Sequence, residues 1–160
     1  MNFLTIDPGC RKDGGLAIAI FENNQINPIL TKAFVSAQSN FKQRQTEICR
    51  VFSYWLTDNK SIYLLEKVYI EKPQFFDSAK GLTAARSNSL FKLIFTYGRL
   101  FQIIESQFGV GNTYALEINK WKGQLSKSQV EKRVKRACKK EYKGDICDAV
   151  GMGLFLKELL

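Results

Sequence analysis

The chain contains no histidine in 160 residues. The commonest general base and the commonest zinc ligand are therefore missing, so any hydrolytic chemistry must rest on carboxylates, lysines, hydroxyls or thiols. Cysteine is sparse and scattered. Cys10, Cys49, Cys138 and Cys147 form no C-x-x-C pair, which argues against a zinc-thiolate site or a disulfide frame and fits small apolar residues in a reducing cytoplasm. No run of about 18 apolar residues exists, so no membrane-spanning helix is expected. Met1 to Leu4 leads to an acid at Asp7 with no basic stretch before it, unlike a secretory signal. Linkers, repeats and low-complexity segments are also lacking, and the length suits one domain over 1–160 with a sizeable core.

What is present is a succession of short strand and helix signals. Phe3 to Ile6 and Leu16 to Phe21 read as strands separated by turn residues, and Pro28 to Val35 as a third. Short connections make these antiparallel neighbours, with the first strand central. Helical spacing follows over Asn40 to Asp58, with Phe41, Ile48, Val51, Phe52, Trp55 and Leu56 as the core stripe. Two apolar clusters, Ile62 to Leu65 and Val68 to Ile70, come next. The second reads as a buried strand delivering Glu71, while Glu66 belongs to its solvated approach. A long helix is expected from Thr83 to Phe108, with Leu90, Leu93, Ile94, Tyr97, Leu100, Phe101 and Ile104 on its core side. Gly98 costs this helix about 1 kcal/mol against alanine, and close packing is the expected reason for it. Tyr114 to Leu116 is a last short strand, followed by helices over Ser128 to Lys140 and from Gly144 onward. The order β-β-β-α-β-α-β-α-α describes a mixed α/β domain.

Charge is unevenly placed. The net charge is +9, and the segment from Lys120 to Lys143 carries ten basic residues against only Glu131 and Glu141. Such an imbalance favours a polyanionic partner, with nucleic acid ahead of a membrane surface. Lys120, Lys122, Lys127, Lys132, Arg133 and Arg136 are the candidate DNA-binding residues within it.

Four acids stand at chemically interesting places. Asp7 ends the first strand, Glu71 ends a later one, and Asp145 and Asp148 share one face at the start of the last helix. That helix is apolar nearly all round, so two carboxylates on it resist burial unless a cation neutralises them. If the strand ends and the helix converge, the four acids outline a site for two Mg²⁺ ions, with Mn²⁺ as a substitute. Carboxylate oxygens suit these hard cations, and such a pair hydrolyses phosphodiesters.

Taken together, IDPG with GLAIAI, YIEKP, NKWKGQLSKSQV and DICDAVGMGLF resemble the RuvC-type Holliday junction resolvases, especially their compact phage versions. The resemblance extends over almost the whole chain. It implies a ribonuclease H-like fold, a mixed five-stranded sheet flanked by helices, and a homodimer that nicks four-way DNA junctions with Mg²⁺. Asp7, Glu71, Asp145 and Asp148 match the metal ligands of that family, and Lys122 and Lys127 its basic positions facing the scissile phosphate. Either Phe75 or Phe76 takes the place of an aromatic that wedges into the junction crossover. The protein is then expected in the cytoplasm of a bacterial cell, or of an infected host cell if phage-encoded. The long helix with Phe91, Phe95 and Phe108 is the expected dimer interface. Two other readings stay open: a YqgF-like ribonuclease of the same fold, and a junction-binding protein without catalysis. A sugar-kinase or actin-like ATPase would need a duplicated domain for which this chain is too short.

Overall fold

The computed structural model describes residues 1–9, 15–74 and 88–160. Among them are strands β1 (Asn2–Pro8), β2 (Leu16–Glu22), β3 (Leu30–Phe34), β4 (Leu65–Lys72) and β5 (Thr113–Glu117). The helices are α1 (Phe41–Asn59), α2 (Ser89–Phe108), the four-residue α3 (Ile118–Trp121), α4 (Lys127–Cys138) and α5 (Gly144–Leu156). One sheet runs in the order β3-β2-β1-β4-β5. β1 pairs antiparallel with β2 and parallel with β4, so it lies at the centre, as its apolar sequence predicts.

Strand alternation sorts the side chains into two layers. Leu4, Ile6, Leu16, Ile18, Ile20, Val68 and Ile70 face α1 and α2, packing on Ile48, Phe52, Leu56, Leu100 and Ile104. Phe3, Ala17, Ala19, Phe21 and Tyr69 face the other way, against α4 and α5. On this second side β2 presents two fully buried alanines, and α5 lies close to the sheet. Thr5 fixes the distance: its buried hydroxyl donates to Ala149 O of α5 at 2.7 Å. Gly153 serves the same approach, because a Cβ there would lie 1.9 Å from Cε2 of the fully buried Phe21.

Helix ends follow local chemistry. Asn40 caps α1 by accepting from the backbone N–H groups of Lys42 and Gln43. Ser126 and Gln129 form a reciprocal capping box on α4, one turn before the basic run. α4 therefore begins at Lys127, and α3, which the sequence did not announce, occupies the interval after β5.

Several expectations need correction. Ile62 to Leu64 form a turn, with Leu64 at φ 48° and 72% exposed; only Leu65 joins β4. Val51 and Ile94 are exposed rather than core residues. The α1 stripe instead runs through Ile48, Cys49, Phe52 and Leu56, and the α2 stripe through Thr96, Leu100, Ile104 and Phe108. Phe108 is thus buried in the core and is not available as an interface residue. No close packing among the described residues explains Gly98, since a Cβ there would meet none of them within 4 Å. The expected helix start at Thr83 lies outside the described residues.

Gly153→Ala is expected to destabilise the fold by about 1–3 kcal/mol, because the added methyl would overlap the fully buried Phe21 ring and force it to shift. Thermal unfolding of the variant measures this, and a melting temperature equal to wild type would show that α5 does not need its close seat.

Candidate active site

The alternation that builds the second layer also aims the acids. Asp7 follows Phe3 and Thr5 at odd positions of β1, and Glu71 follows Tyr69 in β4, so both project on the α5 side. The parallel pairing of β1 with β4 ends at Ile6–Ile70. Asp7 and Glu71 are the next residues of two neighbouring strands, whose usual separation is about 4.8 Å. α5 crosses this end of the sheet, tied to β1 through Thr5 and Ala149, and brings Asp148 and Asp145 over it. Asp145 Oδ2 lies 3.2 Å from the point a Cβ on Gly9 would occupy, just past the end of β1.

The electrostatics record this convergence. Asp7 has its carboxyl pushed well above the usual range, first by burial and then by repulsion from Glu71, Asp145 and Asp148, with Lys122 opposing. Burial, followed by repulsion from Asp148, raises Glu71 to about 7, while Lys122 and a hydrogen bond from Trp121 lower it. Three side chains from the segment after β5 temper the cluster. Lys122 Nζ pairs with Asp148 Oδ1 at 3.1 Å, with both groups largely buried. Lys127 Nζ stands 4.0 Å from Asp145 Oδ1, and Trp121 Nε1 donates to Glu71 Oε2 at 3.1 Å.

The six predicted catalytic residues therefore meet at one end of the sheet. As the side chains stand, no three acids among the described residues form a ready chelating set. Glu71, Asp148 and Asp145 each meet a separate cationic or N–H partner instead. The donor set is nonetheless of the kind that suits a hard cation, namely clustered carboxylates whose mutual repulsion a divalent ion would relieve.

The remaining basic candidates are not at the acids. Lys120 is exposed and lies 3.9 Å from Glu117. Lys132 lines a hollow of about 300 Å³ on one flank of α4 with Ser128, Lys135 and Tyr142. Arg133 and Arg136 line another, of about 450 Å³, with Lys139 and Leu160. Phe75 and Phe76 lie outside the described residues. Sequence reasoning overlooked Trp121 and Thr5 as parts of the site. The tryptophan stood beside Lys122 in the quoted motif, but only the fold brings its indole to Glu71. Nothing local marks Thr5 as the tie to a helix 144 residues away.

No protein-family model matches the chain, and neither does any curated protein sequence. Solved structures do match. RuvC of Thermus thermophilus in complex with a Holliday junction substrate superposes with a TM-score of 0.67 at 15% identity, over 97% of this chain and 91% of that one. Another structure of T. thermophilus RuvC gives 0.64 at 16% identity, over 97% and 92%. At such identities the likeness is one of fold, and the chain has the ribonuclease H-like fold of RuvC.

Proposed function

We propose that the protein is a structure-selective DNA endonuclease that resolves four-way junctions or related branched DNA. The observation that carries this reading is the meeting of Asp7, Glu71, Asp145 and Asp148 from three separate elements, with Lys122 and Lys127 against them. A pure phosphate binder gains nothing from four acids facing DNA, which disfavours a non-catalytic junction protein. The similarity to a RuvC fold held on a junction supports branched DNA ahead of ribosomal RNA precursors, the substrate class of the YqgF-like alternative.

Asp7, Glu71, Asp145 and Asp148 would hold two Mg²⁺ ions, or Mn²⁺ in their place, which when bound supply an activated water and stabilise the leaving oxygen. The chain's own residues do the rest. Lys122 and Lys127 neutralise acids in the free protein and offer positive charge to the scissile phosphate. Lys132 on one flank of α4, and Arg133 and Arg136 on the other, hold backbone phosphates further out, and Lys120 adds an exposed charge beside the site. This attraction is independent of sequence and weakens steeply with salt. Phe75 or Phe76 is the proposed wedge at the crossover. Among the described residues no helix is long and apolar enough to cross a membrane, and a cytoplasmic site of action fits the substrate.

A junction has two strands to cut, which calls for two sites at fixed separation and hence a homodimer. α2 offers a surface for it: Phe91, Ile94 and Phe95 are 48–63% exposed, and exposed Gly98 lies one turn on. A small residue in an exposed apolar stripe lets a second helix approach, which gives Gly98 a role that its neighbours among the described residues do not. Wild type is expected to sediment at about twice the 18.3 kDa chain mass, and Phe91→Glu combined with Phe95→Glu to yield a folded monomer. Paired nicking by such a monomer would contradict the need for a dimer.

The central test is a gel assay with four-way junction, Y-fork, linear duplex and RNA hairpin, each in Mg²⁺ and in EDTA. Asp7→Asn, Glu71→Gln, Asp145→Asn and Asp148→Asn should each lower single-turnover nicking by about 100-fold or more, because the chemistry depends on metal-activated water. Junction affinity in EDTA should stay equal or tighten. Lys122→Ala and Lys127→Ala should slow nicking with only mild loss of binding. A folded Asp148→Asn that nicks at the wild-type rate would sink the proposal.

Stability provides an independent measurement. A carboxyl whose folded pKa is raised imposes no penalty while it is protonated in both states. The penalty grows as pH climbs from the unfolded value, about 4.5 for glutamate, through the folded value of about 7. In metal-free protein, Glu71→Gln should therefore gain stability relative to wild type between pH 5 and pH 8. Added Mg²⁺ should raise the wild-type melting temperature at pH 8 more than that of the variant. Parallel melting curves for the two proteins across this range would refute the raised pKa of Glu71.

A further inference from the structure

Trp121 is 3% exposed, and its indole N–H points at Glu71. The path that brings it there is short. Glu71 is in register with Leu116 of β5, the strand ends at Glu117, and α3 turns the chain back over the strand ends within four residues. The next side chain, Lys122, reaches Asp148 on α5. Two consecutive residues thus hold two acids from different elements.

The ring itself is locked by packing. It belongs to the core layer under α5, and a Cβ on Gly151 would come within 3.0 Å of its Cζ3, with Val130 and Val134 beside it. Packing alone would accept a phenylalanine. What the indole adds is a single donor that neither titrates nor accepts, aimed in a direction the core dictates. The carboxylate must therefore turn to the indole, not the reverse.

We propose that Trp121 is a positioning residue for Glu71: its N–H engages Oε2 and holds the carboxylate so that Oε1 is presented to the acid cluster and its cation. This rests on the metal-dependent reading above. Hydrogen-bond partners behind metal ligands act in this way, by fixing ligand orientation before the ion arrives.

The test uses the full chain with Trp121→Phe, Glu71→Gln, the double variant and Gly151→Ala, and Mn²⁺ as the probe. Mn²⁺ binding is followed by electron paramagnetic resonance without DNA, junction affinity in EDTA, and nicking over a range of Mn²⁺. Trp121→Phe is expected to bind Mn²⁺ about 10-fold more weakly, within the ~10–100-fold usual for such partners. Its nicking should recover in part at high Mn²⁺, and its junction affinity should be unchanged. In the Glu71→Gln background the Trp121→Phe change should add nothing. Gly151→Ala, which keeps the indole but displaces it, should shift Mn²⁺ binding the same way by less. If Glu71→Gln loses Mn²⁺ and nicking while Trp121→Phe binds the ion like wild type, Trp121 is packing only and the inference is overturned. If Glu71→Gln itself binds Mn²⁺ and nicks like wild type, the metal-site reading falls and the inference falls with it.

Discussion

Four carboxylates gathered at one end of a sheet are the constraint around which the rest is arranged. Burial, and then their mutual repulsion, push Asp7 and Glu71 toward protonation, so the fold must supply rigid attachment from elsewhere. It comes from the contact between β1 and α5. The buried Thr5 hydroxyl bonds Ala149, small Ala17 and Ala19 leave room for the helix, and Gly153 allows it to rest on Phe21. Each of these contacts is uncharged and lies deeper than the acids. The strain of the site is thus opposed by a core that solvent cannot reach.

The segment after β5 balances the same charges from the outside. Trp121, Lys122 and Lys127 arrive in sequence order, from a four-residue helix, its end and the first turn of a capped helix. Each meets a different acid. Each holds its acid by one contact, and under the proposed function a bound cation with a phosphate would compete for the same partners. On the reading proposed above, that competition would link metal binding, DNA binding and the stability of the folded chain at one place.

Charge further from the acids is arranged differently. The two flanks of α4 present basic residues over open hollows, a distribution suited to phosphates spread along a backbone rather than to a single small anion. The exposed apolar stripe on α2 lies on the opposite layer of the sheet, so an interface there leaves the acidic end uncovered.

The sequence by itself determined a good deal. Short apolar runs closed by turn residues placed Asp7 and Glu71 at the ends of buried strands, helical spacing found α1 and α2, the apolar run after Gly144 found α5, and the lack of histidine turned attention to carboxylates. Those are local signals, and they survive because the side-chain period is a property of the backbone. Long-range pairing was another matter. The register that makes Asp7 and Glu71 neighbours arises between strands some 60 residues apart, and nothing in the apolar cluster Ile62 to Leu65 announced that its first three residues form a turn, because hydrophobicity does not reveal exposure. Phe108 and Val51 were assigned to the wrong faces for the same reason: a helix shows its stripe, but only its neighbours decide which flank is covered. Trp121 illustrates the limit best. Its identity was legible, yet its role depends on α3 folding back over β4, and only the tertiary structure brings an indole and a carboxylate 50 residues apart into one hydrogen bond.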